Sequence, residues 1–263
     1  MANGDGVTHP NYLRCMRHQL RPGDLHPFTN MDIPHLLQRQ ADVRGDHPFL
    51  VWEPFEGDRR VWTYAEFVDG TRRVAAGLVA RGVKVGDRVL VHLDNCPESI
   101  FSWFGCSVAG ASAVTTNARS VADELTYYAD NAEVVGAITQ PRFADLVEAS
   151  TKPGFLIVTE TDNGTPAAPG TAPDAADSFE RLFEAPPLDL RPPDPLLNFS
   201  VQFTSGTTSR PKGVVWNHAN ALWGARMCAR NEHMNADDVH LTHLPLFHTN
   251  AQAYSVLSSL WAG

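Results

Sequence analysis

The chain contains the stretch Val201-Gln-Phe-Thr-Ser-Gly-Thr-Thr-Ser-Arg-Pro-Lys-Gly-Val-Val215. Alternating apolar residues at its start predict a β-strand, and a second β-branched run follows Gly213. Small polar residues from Thr204 to Ser209 separate the two runs. Such a loop lets backbone N–H groups approach an anionic ligand, while hydroxyl groups add donors and a lysine adds positive charge. The stretch therefore predicts a loop that holds a polyphosphate.

The spacing within this loop separates it from two other enzyme classes. A Walker loop carries Gly-Lys-Ser/Thr four residues after its first glycine. Here five residues separate Gly206 from Lys212, and a glycine follows the lysine. The sequence around Ser205 also lacks the Gly-x-Ser-x-Gly elbow of many serine hydrolases. We therefore expect neither a P-loop NTPase nor a serine hydrolase.

The segment from Thr204 to Gly213 resembles the phosphate-binding signature of the adenylate-forming enzymes, a family that includes acyl-CoA synthetases, luciferases and peptide-synthetase adenylation domains. Ser209 stands where the family usually has glycine, and the Ser-Arg pair is similar to that of carnitine/crotonobetaine-CoA ligase-like members. The resemblance implies that Lys212 binds the β- and γ-phosphates of ATP; a solvated surface lysine is the alternative. It implies that the rest of the phosphate cradle consists of Thr204, Ser205, Gly206, Thr207, Thr208 and Gly213.

A second signature of the same family is similar to Leu244-Pro-Leu-Phe-His248. The resemblance implies that His248 lines the junction of ATP and the acyl carboxylate; a histidine satisfied within a loop is the alternative. Asn250 and Gln252 follow closely, and we expect them to contact the acyl group. Weaker similarity runs from Trp62 to Ala149, so the resemblance covers nearly all of the chain after residue 30.

The pattern of the whole chain predicts an α/β fold. Continuously apolar strands alternate with helices, which is typical of parallel sheets flanked by helices. The elements that we expect include a capping box at Thr63–Glu66, a helix from Pro97 to Ala109, a cap by Ser120 with Asp123, a strand at Val239–Thr242 and a helix from Asn250 to Trp261.

A Pro-rich run after a Thr-, Ala- and Gly-rich segment (residues 161–177) predicts a subdomain boundary. We expect a first α/β subdomain at residues 1–190 and the phosphate-loop strand with the start of a second subdomain at residues 191–263. The family's acidic Mg²⁺ ligand, ribose-binding aspartate and C-terminal lysine have no counterpart here. The resemblance therefore predicts that the chain is the N-terminal half of a longer enzyme.

The composition and net charge of the chain argue against two classes of binding partner. The chain has 263 residues, 43% of them hydrophobic, and a net charge of −9 without a dense basic run, which argues against nucleic acid and anionic membranes. No segment is apolar and long enough for a membrane span, and the N-terminus lacks a secretion signal. The cysteines lack Cys-x-x-Cys spacing, so we expect buried or incidental thiols and a cytoplasmic protein. They are Cys15, Cys96, Cys106 and Cys228.

A metal site is not expected in this chain. Four histidines lie near one another in sequence, but their spacing matches no tight zinc pattern. They are His233, His240, His243 and His248.

The resemblance implies an ATP-dependent acyl-CoA ligase with ATP, Mg²⁺ and coenzyme A as cofactors or co-substrates. A carboxylate would attack the α-phosphorus, and coenzyme A would then displace AMP. A non-catalytic nucleotide-binding domain and an adenylation domain that loads a carrier protein remain alternatives. Because Thr249, Asn250 and Gln252 are polar, we expect a short or medium polar acid rather than a long-chain fatty acid. The exact carboxylate and a homo-oligomeric state stay open.

Overall fold

The computed structural model describes residues 27–168, 171, 178–204 and 210–263; most of the expected N-terminal arm lies outside these ranges. The strands within them are β1 (Pro48–Trp52), β2 (Arg60–Thr63), β3 (Arg88–His92), β4 (Ser112–Thr115), β5 (Gly136–Thr139), β6 (Leu156–Val158), β7 (Thr161–Asp162), β8 (Thr165–Pro166), β9 (Asn198–Thr204) and β10 (Lys212–Asn217).

The helices alternate with these strands. They are α1 (Ile33–Arg44), α2 (Tyr64–Ala80), α3 (Pro97–Ala109), α4 (Ala122–Ala132), α5 (Ala144–Thr151), α6 (His218–Asn231) and α7 (Ser258–Ala262). Short 3₁₀-helices span Pro141–Phe143 and Phe179–Glu184, and a π-helix spans Asn250–Leu257.

A six-stranded sheet forms the centre, with strand order β10-β9-β4-β3-β5-β6. Strands β9, β4, β3, β5 and β6 run parallel to one another. Strand β10, at the edge, pairs with β9 in antiparallel orientation. The predicted α/β fold with a parallel sheet flanked by helices is therefore confirmed. Strand β9, which leads into the phosphate loop, belongs to the same sheet as β3, β4, β5 and β6. The division into two subdomains at residue 190 stays a prediction.

Both faces of the sheet are buried. In β3, Val89 and Val91 point into the core that contains α3, whereas Leu90 points into a second core with Leu125 of α4 and Val147 of α5. Successive residues of a strand face opposite sides, which explains why the central strands are apolar throughout. Every residue of α3 is buried.

Several helix boundaries follow local sequence signals. The Glu66 N–H donates to Thr63 Oγ1 at 3.2 Å, and the Thr63 N–H donates to Glu66 Oε2 at 2.8 Å, which confirms the capping box. Helix α3 begins at Pro97 and ends before Gly110, whose φ of 78° lies in the left-handed region that suits glycine.

Two local predictions are wrong. Val239–Thr242 forms no strand; Val239 is 91% exposed and Leu241 is 82% exposed, because alternating apolar residues form a strand only where a sheet edge accepts them. The cap of α4 is Val121 rather than Ser120, and its N–H donates to Glu124 Oε2 at 3.2 Å. The predicted helix from Asn250 to Trp261 is confirmed, and its first eight residues form a π-helix.

Two further expectations concern thiols and membranes. Cys96, Cys106 and Cys228 are buried free thiols, as predicted, and Cys15 lies outside the described residues. Among the helices that the structure describes, none combines the length and the hydrophobicity that crossing a bilayer requires.

Candidate active site

The carboxyl ends of the parallel strands bring polar side chains to one edge of the sheet. Strands β3, β4, β5 and β9 end at His92, Thr115, Thr139 and Thr204. Because these strands are parallel, their ends share an edge. Ligands of open α/β sheets bind outside the carboxyl ends of the strands. The candidate site is therefore the region next to this edge.

The expected phosphate loop leaves the sheet at this edge and returns to it as β10. Thr204, the last residue of β9, lies opposite Lys212, the first residue of β10. The Thr204 hydroxyl donates to the Lys212 carbonyl at 3.5 Å, and both residues are exposed to solvent. Strand pairing thus closes the hairpin and leaves the Lys212 side chain accessible to a ligand.

Helix α4 fixes the end of the hairpin loop. The Tyr127 hydroxyl donates to the Pro211 carbonyl at 2.8 Å, and the Arg210 guanidinium lies 5.3 Å from the centre of the Tyr127 ring. Phe203 stacks on Tyr128 with ring centres 4.3 Å apart. The sequence analysis missed these aromatic anchors because the loop is separated from them by about eighty residues, and only pairing in the sheet brings them together.

Four residues of the predicted cradle, Ser205, Gly206, Thr207 and Thr208, lie outside the described residues. Gly213 is exposed in β10, where a Cβ atom would come within 3.3 Å of Val201 and 3.4 Å of Phe203. A larger residue there would press on the strand that leads into the loop.

Asn95 joins the second signature to the end of β3. Its Nδ2 donates to the Leu244 carbonyl at 2.8 Å, and its Oδ1 accepts the Leu246 N–H at 2.8 Å. The Thr115 hydroxyl at the end of β4 donates to the Phe247 carbonyl at 3.2 Å. Side chains at two strand ends therefore hold the backbone that precedes His248.

Gln252 connects this segment to the phosphate-loop strand from inside the protein. It is 1% exposed, and its Nε2 donates to the Leu246 carbonyl at 2.8 Å and to Thr115 Oγ1 at 3.2 Å. It also contacts Gln202 of β9, and Gln202 Oε1 accepts a hydrogen bond from the Thr249 hydroxyl at 2.5 Å. Its hydrogen bonds are made to protein groups, which suits a positioning role.

His248 and Asn250 are both exposed to solvent. The Asn250 N–H donates to His248 Nδ1 at 3.4 Å. A neutral His248 that accepts at Nδ1 carries its proton on Nε2, which is then a hydrogen-bond donor. The structure thus brings together Thr204, Lys212 and the His248 segment through Gln202.

Two buried histidines at opposite edges of the sheet are neutral at neutral pH. Burial, reinforced by the Arg142 charge, lowers the pKa of His92 to about 4, and its Nδ1 lies 2.8 Å from Thr116 Oγ1. Burial also lowers the pKa of His218 to about 4, although the Asp32 charge opposes this shift. His92 ends β3 at the candidate site, whereas His218 follows β10 at the opposite edge of the sheet, where Asn217 pairs with Asn198.

The fold and the site define an α/β protein with a candidate anion-binding hairpin at the carboxyl edge of its sheet. Among the described residues, no group of three or more His, Cys, Asp or Glu side chains is arranged to hold a metal ion. Thr204 and Lys212 expose the kinds of hydrogen-bond donor that phosphate oxygens accept, and His248 exposes a further polar side chain.

The chain belongs to the AMP-binding enzyme family, whose model matches residues 37–263. It is 34% identical over 229 residues to a crotonobetaine/carnitine–CoA ligase of Escherichia coli (strain SE11), and the match covers 85% of this chain and 43% of that protein. The chain therefore spans less than half the length of this relative.

Solved structures support the same fold. The anthranilate CoA ligase AuaEII, solved with anthranoyl-AMP, has a TM-score of 0.77 and 22% identity over 93% of this chain and 45% of its own. ATP-bound MatB from Rhodopseudomonas palustris has a TM-score of 0.71 and 24% identity over 88% of this chain and 44% of its own. At this identity the likeness concerns the fold.

Proposed function

We propose that the protein to which this chain belongs is an ATP-dependent acyl-CoA ligase. A carboxylate attacks the α-phosphorus of ATP, which forms an acyl-adenylate and releases pyrophosphate. The thiolate of coenzyme A then attacks the acyl carbon and releases AMP. Membership in the AMP-binding enzyme family and similarity to a named CoA ligase support this assignment.

The observation that carries the proposal is the Thr204–Lys212 hairpin beside the His248 segment. Lys212 binds the β- and γ-phosphates, where its positive charge stabilises the departing pyrophosphate. The cradle is completed by Thr204 and Gly213 together with Ser205, Gly206, Thr207 and Thr208. Because Gln202 contacts both Thr249 and Gln252, the carboxylate that His248 and Asn250 receive lies next to the phosphate-binding strand.

Gln252 supports the substrate side of the site from beneath, through its hydrogen bonds to Leu246 and Thr115. The acid is short or medium in length and polar. Thr249 and Asn250 are exposed polar residues on the substrate side, where a long alkyl chain would gain little.

ATP–pyrophosphate exchange and acyl-CoA formation test the proposal in protein expressed from its complete reading frame. Lys212→Ala should lower kcat/KM for ATP by at least about 100-fold, since one charged contact in a transition state is worth about 3 kcal/mol. Lys84→Ala is the matched control, because Lys84 is an exposed lysine away from the sheet edge. Unchanged ATP use in Lys212→Ala would refute the phosphate assignment.

Two alternatives give different results in the same assays. An adenylation domain that loads a carrier protein would show exchange without acyl-CoA formation, and a non-catalytic nucleotide-binding domain would bind ATP without exchange. The 263-residue chain by itself should bind nucleotide weakly and show no exchange. Measurable exchange by the purified chain would refute our assignment of the remaining catalytic groups to other parts of the enzyme.

A further inference from the structure

Arg210 is a second cation at the phosphate-binding hairpin, two residues before Lys212. Both side chains are exposed to solvent. Among the ion pairs of the described residues, none includes either of them. Within that part of the chain, the hairpin thus carries two positive charges that no carboxylate neutralises, although the net charge of the whole chain is −9.

Tyr127 of α4 holds Arg210 in place without cancelling its charge. The guanidinium carbon lies 5.3 Å from the centre of the Tyr127 ring, and the Tyr127 hydroxyl donates to the Pro211 carbonyl at 2.8 Å. The ring of Pro211 also restricts the backbone between the two cations. An aromatic face attracts a guanidinium through its quadrupole, so the N–H groups at the edge of the guanidinium stay available to a ligand.

The two cations lie on opposite faces of the hairpin. A Cβ atom on Gly213 would face Phe203, on the side of the sheet that α4 covers. Because successive residues of a strand alternate, Lys212 points to the other face, which carries the second signature. The Arg210 guanidinium lies on the α4 face, above the Tyr127 ring.

This arrangement favours a chain of phosphate groups over a single anion. Two residues of extended chain span at most about 7 Å, so the backbone positions of Arg210 and Lys212 are close enough for one polyphosphate to contact both side chains. A guanidinium binds phosphate oxygens through paired, charge-assisted hydrogen bonds, which are stronger than an exposed cation–π contact. A phosphate group therefore competes successfully with the ring for Arg210.

We propose that Arg210 is a second phosphate-binding residue of the hairpin and that Tyr127 is its positioning residue. A polyphosphate is held between Lys212 and Arg210, with one cation on each face of the hairpin. The identity of the polyphosphate as ATP rests on the proposed acyl-CoA ligase function, whereas the binding of a polyphosphate does not.

Calorimetric titration of the 263-residue chain with sodium tripolyphosphate tests the site without nucleotide or metal ion. Arg210→Ala should weaken binding about tenfold, and Arg210→Lys, which keeps the charge but loses the paired donors, about threefold. Inorganic phosphate should lose less affinity than tripolyphosphate in Arg210→Ala, and an equal loss for both anions would refute the placement of one cation on each face.

Arg226→Ala is the matched control for these titrations. Arg226 is also exposed and lies 5.5 Å from the centre of an aromatic ring, that of Trp223, but it belongs to α6 and not to the hairpin. This variant should bind tripolyphosphate like the parent. Absence of binding in the parent, or equal affinities in Arg210→Ala and Arg226→Ala, would overturn the proposal.

Two substitutions of Tyr127 test its positioning role. Tyr127→Phe keeps the ring and Tyr127→Leu removes it, so the difference between these variants measures the ring contact alone. Tripolyphosphate should bind about threefold more weakly to Tyr127→Leu than to Tyr127→Phe. The difference should vanish when Arg210→Ala is present in both. The same difference in both backgrounds would show that the ring acts through packing and would refute positioning of Arg210.

ATP–pyrophosphate exchange in protein from the complete reading frame separates this site from the proposed activity. Arg210→Ala should raise KM for ATP about tenfold and leave kcat within about twofold, and Arg226→Ala should match the parent. If the parent shows no exchange while tripolyphosphate binding still depends on Arg210, the ligase proposal fails and the phosphate site stands. A lower kcat with an unchanged KM in Arg210→Ala would refute a role in binding the phosphates of ATP.

Discussion

Asn95→Ala should release the second signature from the end of β3. The substitution removes two hydrogen bonds of 2.8 Å, one to the Leu244 carbonyl and one from the Leu246 N–H. Each contributes about 1 kcal/mol net, and the freed backbone groups add a partial penalty because they are only partly exposed. We expect the free energy of unfolding to fall by about 2–3 kcal/mol. With a urea m-value of about 2–3 kcal/mol per M, the midpoint moves down by about 1 M.

Urea unfolding followed by tryptophan fluorescence measures this loss, with two further variants as references. Asn117→Ala is the control, because Asn117 is exposed and accepts one local hydrogen bond from the Arg119 N–H at 3.0 Å; its cost should stay below about 0.5 kcal/mol. Asn95→Asp keeps the acceptor for Leu246 but loses the donor to Leu244, and we expect an intermediate loss. If Asn95→Ala unfolds at the same midpoint as Asn117→Ala, the two bonds do not stabilise the segment and our reasoning is refuted.

Three other predictions concern the hairpin and the buried histidines. Tyr127→Phe removes the 2.8 Å bond to the Pro211 carbonyl but keeps the ring beneath Arg210, so KM for ATP should rise several-fold with little change in kcat; a kcat loss alone would contradict an anchoring role. Lys212→Ala should leave the free energy of unfolding, measured by urea, within about 0.5 kcal/mol of the parent, because the side chain is exposed; a large loss would indicate a structural lysine. The pKa values of His92 and His218 are about 4 in the folded protein against 6.5 for the unperturbed group, so the unfolded chain binds more protons between these values. The free energy of unfolding should therefore decrease from pH 7 to pH 5, by about 2 kcal/mol for each histidine, and His92→Gln should show about 2 kcal/mol less of this decrease. An unchanged pH dependence in His92→Gln would show that the ring titrates normally.

The fold was predictable because its signals are local. The capping box at Thr63, the proline and glycine at the ends of α3, and the apolar runs of β3 and β5 are properties of short windows. The strand predicted at Val239–Thr242 does not form, which shows where local sequence signals are insufficient. Alternation describes which residues would share a face, but whether a strand forms depends on a neighbouring strand, which is often distant in sequence.

The site was predictable only in its signature residues. Lys212 and His248 belong to local motifs, and the sequence indicates them directly. The groups that set their positions do not: Asn95 bonds to residues about 150 positions later, and Tyr127 bonds to a carbonyl 84 positions later. Neither has a local pattern that distinguishes it from an ordinary surface residue. Conversely, we expected Gln252 to contact a substrate, whereas its side chain is only 1% exposed because the π-helix packs against β9 and β4. These contacts are distant in sequence.

The arrangement of these contacts explains how two signatures that are separate in sequence are held at one edge of the sheet. The first is fixed by pairing of β9 with β10, and the second is fixed by Thr115 and Gln202, which belong to neighbouring paired strands. The register between β4 and β9 places Thr115 opposite Gln202, so the same pair of strands positions both signatures. Their separation therefore depends on strand pairing, which is stiff, rather than on the loop between them. The hydrogen bonds that hold the second signature reach Thr115 of β4 and Gln202 of β9, so its position is set by the sheet itself.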